Sequence, residues 1–263
     1  MKKIITGAIL ASAIAATPAF AQDADKGPYV QLRTGVATLN NPEFRFIDTY
    51  EDNQLETRMN AKSAWAVGGE VGYDLGNIRV GLDLSYQRNK VNGITLRSLN
   101  GTAITDANAE ALFTGFNVGC GDSCTAEDLE GVEREFNEGI ALDGARLHRT
   151  NGSIARLRQV AVMANIAYDI PVGDTFKPYV GVGLGAVGTH VDVANEDDGS
   201  LRFAWQVRAG AAVKLTQGVD LTADYTYRQT SAGKLSLGDD EDMQYRLGKT
   251  KASLFMVGLR FTL

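Results

Sequence analysis

The chain closes on Ser253-Leu254-Phe255-Met256-Val257-Gly258-Leu259-Arg260-Phe261-Thr262-Leu263. Phe255, Val257, Leu259, Phe261 and Leu263 alternate with Met256, Gly258, Arg260 and Thr262, which predicts a strand with one apolar and one more polar face. A soluble sheet could carry the same alternation, so one strand decides nothing. Repetition does: 29–39, 64–74, 78–90, 154–170, 177–191, 201–215 and 219–230 join 251–263 as eight candidate strands. Alternating segments of about 10 residues, separated by turn signals, are the pattern of a transmembrane β-barrel.

The faces are sharpest in three segments. Ile78, Val80, Leu82, Leu84 and Tyr86 oppose Arg79, Gly81, Asp83, Ser85 and Gln87. Val219, Leu221, Ala223, Tyr225 and Tyr227 oppose Asp220, Thr222, Asp224, Thr226 and Arg228, and Phe203, Trp205, Val207, Ala209, Ala211, Val213 and Leu215 make one apolar face. In a barrel the apolar set meets lipid and the polar set lines the lumen. Trp65, Tyr73, Tyr86, Tyr168, Phe203, Trp205, Tyr227 and Phe261 fall near strand ends, where interfacial girdles would place them. A soluble sandwich core is the alternative, but it needs neither such long strands nor a run to the terminus.

The connections alternate between short (75–77, 171–176, 216–218) and longer (40–63, 91–153, 192–200, 231–250). Short turns face the periplasm in outer-membrane barrels, so the longer set is expected outside, with both termini periplasmic. The 91–153 connection is too long for a structureless loop and is expected to hold structure of its own or to move. Within it, Leu129, Val132, Phe136 and Ile140 suggest a short surface helix in 126–147, although Gly131, Gly139 and Gly144 oppose one.

Lys2 and Lys3 precede the apolar stretch 4–16, and Ala19-Phe20-Ala21 supplies a small-x-small cleavage pattern, so 1–21 reads as a signal peptide and 22–263 as one barrel domain. Removing it leaves 24 basic against 32 acidic residues, a balance of −8 that argues against nucleic acid. The chain beyond it has no run of about 18 apolar residues, so a spanning structure would be a closed barrel. Cys120 and Cys124 lie in a Cys-Gly-Asp-Ser-Cys segment; in an exported chain a local disulfide is favoured over a zinc site, because neither His148 nor His190 has ligand spacing to them. Nothing in the sequence asks for a cofactor.

The expected lumen network sets Arg33, Arg79, Arg208, Lys214, Arg228 and Arg260 against Glu70, Asp83, Asp220 and Asp224. Isolated charges are very unfavourable in a narrow interior, so these should pair and plug a barrel that side chains just fill. A permeation path through the carboxylates is the alternative. Catalysis has little to work with: His190 in Thr189-His190-Val191-Asp192 could pair with a carboxylate, but no serine partner can be assigned. Gly181-Val182-Gly183-Leu184-Gly185 lies inside an alternating strand with no following Walker lysine, so it reads as strand.

Gly27-Pro28-Tyr29-Val30, Lys177-Pro178-Tyr179-Val180-Gly181-Val182-Gly183 and Phe255-Met256-Val257-Gly258-Leu259-Arg260-Phe261, with the export signal, resemble bacterial outer-membrane barrels of the opacity and surface-antigen type, which are OmpA-like. The resemblance implies an all-β, eight-stranded antiparallel transmembrane barrel with long extracellular loops, placed in the bacterial outer membrane by the barrel-assembly machinery. The usual assembly signal ends in an aromatic residue, whereas this chain ends in Leu263 with Phe261 two positions earlier. The implied function is a non-enzymatic surface protein serving envelope integrity, adhesion or host contact, with outer-membrane lipids and an extracellular or host ligand as partners. A narrow porin or small-molecule transporter is the alternative, and a lipid-acting enzyme ranks third.

Overall fold

In the computed structural model the residues described are 26–50, 52–112, 140–149, 151–173, 175–193, 196–235 and 243–263. The expected signal peptide and the Cys120–Cys124 pair lie outside them. The strands are Gly27–Leu39 (β1), Glu43–Asp48 (β2), Asn53–Ala61 (β3), Ala64–Asp74 (β4), Ile78–Leu99 (β5), Thr102–Ala103 (β6), Ile140–Asp143 (β7) and Arg146–Arg149 (β8). They continue with Ala155–Asp169 (β9), Phe176–Val193 (β10), Glu196–Thr216 (β11), Val219–Thr230 (β12), Gly233–Leu235 (β13), Met243–Leu247 (β14) and Thr250–Thr262 (β15).

Eight strands close a barrel in the order β1-β4-β5-β9-β10-β11-β12-β15, with β15 returning to β1, and every pairing is antiparallel. Following partners round the wall from Tyr29 through Gly72, Gly81, Asn165, Gly183, Gln206, Arg228 and Ala252 leads back to β1 at Leu39, ten residues beyond the start. That stagger tilts the strands and sets the width of the lumen. Closure leaves no sheet edge in the hydrocarbon, where an unpaired backbone group would cost several kcal/mol.

The faces follow the alternation. Phe255 and Val257 are 61% and 54% exposed, whereas Met256 and Arg260 between and beyond them are 3% and 2% exposed. Val80, Leu82 and Leu84, Val182 and Leu184, and Val207 and Leu221 also face outward. On β5 the outward apolar run from Ile78 to Tyr86 covers about 27 Å of strand, or roughly 21 Å of height at a 40° tilt, which matches a lipid-facing band.

The short connections are tight turns. Gly76 and Gly218 have φ of 110° and 76°, and the Asp74 carboxylate accepts a 2.8 Å hydrogen bond from the Gly76 N–H. The opposite end differs from the expected long loops. β5 runs nine residues past Lys90, to Leu99, while the expected 40–63 loop contains the β2–β3 hairpin and 231–250 contains β13 and β14. The expected 192–200 loop is mostly strand, because β10 and β11 stay paired as far as Val193 and Glu196.

This outer sheet runs β13-β14-β2-β3-β5, with β8 and β7 on the other side of the β5 extension. The expected helix in 126–147 is corrected over its described part, where β7 and β8 form a hairpin turning at Gly144, whose φ is 54°. Residues 126–139 lie outside the described set. The physical reason lies in long-range packing: Leu147 is buried with Leu55, Leu96 and Ile104, and the β5 extension supplies the backbone partner. One helical turn in the same connection spans 109–112.

Candidate functional site

The lumen is filled in tiers. Near the short turns, Arg79 grips Asp169 through Nε and Nη2 at 2.8 and 2.6 Å, and its guanidinium lies 4.6 Å from the centre of the Tyr179 ring. Arg260 reaches Asp220 at 2.6 Å and Asp169 at 3.9 Å. Such paired geometry offsets the desolvation of both ions.

The middle tier crosses the barrel. Arg208 on β11 meets Glu70 on β4 at 2.7 Å and Asp83 on β5 at 3.2 Å. Arg33 pairs with Asp83 and lies 3.3 Å from Asp224. The hydroxyl of Tyr29 donates to Glu70 at 2.5 Å, that of Tyr179 to Asp224 at 3.4 Å, and the Asn165 amide to Glu70 at 3.0 Å. Above them Arg228 donates to Gln206 and to Ser85, each at 3.0 Å. The side chains of Asp83 and Asp224 are 0% exposed and that of Glu70 is 3% exposed, so these carboxylates are almost wholly withdrawn from solvent.

Glycines make the room. A Cβ on Gly81 would stand 2.7 Å from the Tyr29 hydroxyl, and one on Gly210 2.8 Å from the Tyr179 ring. Both rings lie over nearby wall positions that carry no side chain, which leaves them room to reach the charge network. Toward the outside the interior turns apolar: Ala37, Leu39, Phe44, Met59, Val91, Leu157, Val191, Leu247, Leu254 and Met256 form one buried cluster above the polar tiers.

All nine expected network residues, Arg33, Glu70, Arg79, Asp83, Arg208, Asp220, Asp224, Arg228 and Arg260, line the lumen, though in separate tiers. Lys214 faces inward near the mouth, opposite Asp220 in the β11–β12 register. The sequence reading missed Asp169, Tyr29, Tyr179 and Asn165, while Gln206 follows from the parity of the 201–215 segment. Strand parity places Tyr29 with Gln31 and Arg33, a signal that was available.

His190 lies on the outer wall with Nε2 3.4 Å from Asp192, which Arg158 also holds at 2.6 Å. The carboxylate is thus shared with a guanidinium. Among the described residues no group of three His, Cys, Asp or Glu side chains could hold a metal ion.

The outer sheet bounds a cleft of about 640 Å³, lined by Arg45, Arg58, Arg97, Lys234, Arg246 and Lys249 against Glu43 and Glu56. Arg45 pairs with Glu56 at 2.5 Å and Arg58 with Glu43 at 3.5 Å, leaving a surplus of cations among the described lining residues. Lys234, Arg246 and Arg45 stand in register on three adjacent strands.

Several solved outer-membrane proteins are similar to the chain at low identity. Neisserial surface protein A is 14% identical, with a TM-score of 0.49 over 90% of this chain and 97% of that one. The outer membrane protein OprG from Pseudomonas aeruginosa is 15% identical, with a TM-score of 0.48 over 91% and 98%. The outer membrane protease OmpT from Escherichia coli is 9% identical, with a TM-score of 0.44 over 92% and 98%. No curated protein matches the chain. The family model described as the outer membrane protein beta-barrel domain matches residues 7–124 and 128–261, nearly the whole chain, and with the closed, lipid-banded barrel described above it makes this protein a bacterial outer-membrane β-barrel of that family.

Proposed function

We propose that the protein is a non-enzymatic surface scaffold: a plugged barrel that anchors an outer sheet for envelope integrity, adhesion or host contact. The observation that carries this reading is the diametric Arg208–Glu70 bridge among carboxylates almost wholly withdrawn from solvent. Opening a path there would leave buried charges unpaired, at several kcal/mol each. The outer cleft, with its surplus of cations, is the element suited to meet an extracellular ligand, and an acidic one fits it. His190 with Asp192 and Arg158 serves the wall as an ion-paired surface cluster, and insertion by the barrel-assembly machinery through β15 accords with the same reading.

Planar-bilayer recording tests the plug. The purified protein should show little or no steady conductance. A stable ion-selective channel whose selectivity changes in Asp224→Asn would replace the scaffold with a narrow pore.

A further inference from the structure

The chain contains three Asn-Gly pairs, Asn92-Gly93, Asn100-Gly101 and Asn151-Gly152. Such a pair is chemically fragile, because glycine has no side chain to keep its backbone nitrogen away from the asparagine Cγ. In a folded protein two conditions decide whether the two atoms meet. The glycine nitrogen must be free to swing toward the side chain, and hydrogen bonds must not hold the asparagine amide elsewhere.

Asn92 fails the first condition. It lies inside β5, where Gly93 is paired on both sides, with Asn60 on β3 and His148 on β8. Gly93 is buried, and a Cβ added to it would stand 2.9 Å from the Leu147 carbonyl oxygen. Asn100 fails the second. Its Oδ1 accepts from the Gln54 N–H at 2.6 Å, and its Nδ2 donates to Asn53 Oδ1 at 2.7 Å. Its own N–H donates to the Gln54 carbonyl at 2.9 Å, so backbone and side chain are fixed together.

Asn151-Gly152 meets both conditions. The pair lies in the link between β8 and β9, and both residues are exposed. Gly152 has φ of 99°, with no atom within 4 Å of the position a Cβ would take. Among the described residues nothing hydrogen-bonds the Asn151 side chain.

We propose that Asn151 is a site of spontaneous modification, converting in the folded protein to isoaspartate and aspartate. The Gly152 nitrogen gives up its proton and attacks Asn151 Cγ. A new C–N bond closes a succinimide ring, the Cγ–Nδ2 bond breaks, and the side-chain nitrogen leaves as ammonia. Water then opens the ring at either carbonyl. One opening gives aspartate; the other gives isoaspartate, in which the main chain runs through the former side chain.

The reaction falls at a joint. Ile154, three residues on, donates its N–H to the Val91 carbonyl at 2.9 Å and packs against both the apolar cluster in the barrel mouth and the one under the outer sheet. The link therefore ties the β7–β8 hairpin to the wall. Conversion puts a negative charge into it two residues from exposed Arg149, and isoaspartate adds a main-chain carbon. Neither the lumen plug nor the outer cleft takes part, so the outcome is independent of the scaffold reading.

The test is incubation of the folded full chain in detergent micelles at mildly alkaline pH, which favours the deprotonated nitrogen. Peptide mapping follows, with fragmentation that separates isoaspartate from aspartate, and the same preparation unfolded in urea is the reference. In the folded chain Asn151 should convert at least about tenfold faster than Asn92 or Asn100, whose pairing has to open first. In urea the three should convert at similar rates. Asn151→Gln should remove most of the isoaspartate detected by enzymatic methylation while heat-modifiable gel migration stays unchanged. Conversion led by Asn92 or Asn100 in the folded chain, comparable rates at all three sites there, or an Asn151 that stays an amide while the urea reference converts would each overturn the proposal.

Discussion

Arg208 and Glu70 stand on opposite walls, four strands apart in either direction round the eight-stranded barrel, yet their side chains meet at 2.7 Å. The contact spans the diameter, so it braces the barrel and closes it at once. Breaking one partner should therefore affect stability before anything else.

Arg208→Ala should cost about 3–5 kcal/mol, because Glu70 would keep its buried charge without its ion-pair partner and Asp83 would be left to Arg33. Urea unfolding followed by heat-modifiable gel migration measures the loss. Combining Arg208→Met with Glu70→Gln should recover part of it; no recovery would mean that the charge pair is not the source.

Val207→Arg turns a charge toward hydrocarbon and should cost about 2–4 kcal/mol if Val207 sits near midplane. Gln206→Ala instead strands its lumen partners: Asn165, to which the Gln206 amide donates at 2.8 Å, and Arg228. Its cost, about 1–3 kcal/mol, should not vary with bilayer thickness, whereas that of Val207→Arg should. Equal sensitivity of both variants to lipid chain length would contradict the face assignment.

Gly81→Ala should destabilise the barrel by about 1–3 kcal/mol by pushing the Tyr29 ring. Tyr29→Leu introduced with it removes the crowded hydroxyl. Lower cost for the pair than for the two single changes added together, measured by urea midpoint, is the expected result.

In a Cys120→Ser, Cys124→Ser background, a membrane-impermeant maleimide on intact cells should label Asn100→Cys in the outer sheet and spare Asn77→Cys in a short turn. The reverse pattern would invert the topology.

In the exported wild-type protein, mass spectrometry without reduction should find Cys120 linked to Cys124, as their shared polar segment and an oxidising envelope suggest. Free thiols in freshly isolated membranes would remove that expectation.

The sequence by itself determined the barrel wall and its two faces, because a lipid-facing strand must alternate and the alternation is local. The segments 64–74 and 219–230 coincide with β4 and β12, and Arg33, Glu70, Asp83 and Arg208 were placed inside by parity alone. Tertiary structure decided what parity does not contain. Tyr179 shares its inward face with Gly181, Gly183 and Gly185, so no polarity contrast announced it as part of the network. Above the membrane the inward residues become apolar, as at Leu39, Val91 and Val191, and a rule built on lipid outside and polar groups inside no longer applies. The extension of β5 and the β7–β8 hairpin arise from pairing across long sequence separations, with Leu147 buried against Leu55 and Leu96. Which arginine meets which carboxylate likewise depends on the ten-residue stagger that closes β15 onto β1, a property of the whole wall that no single strand encodes.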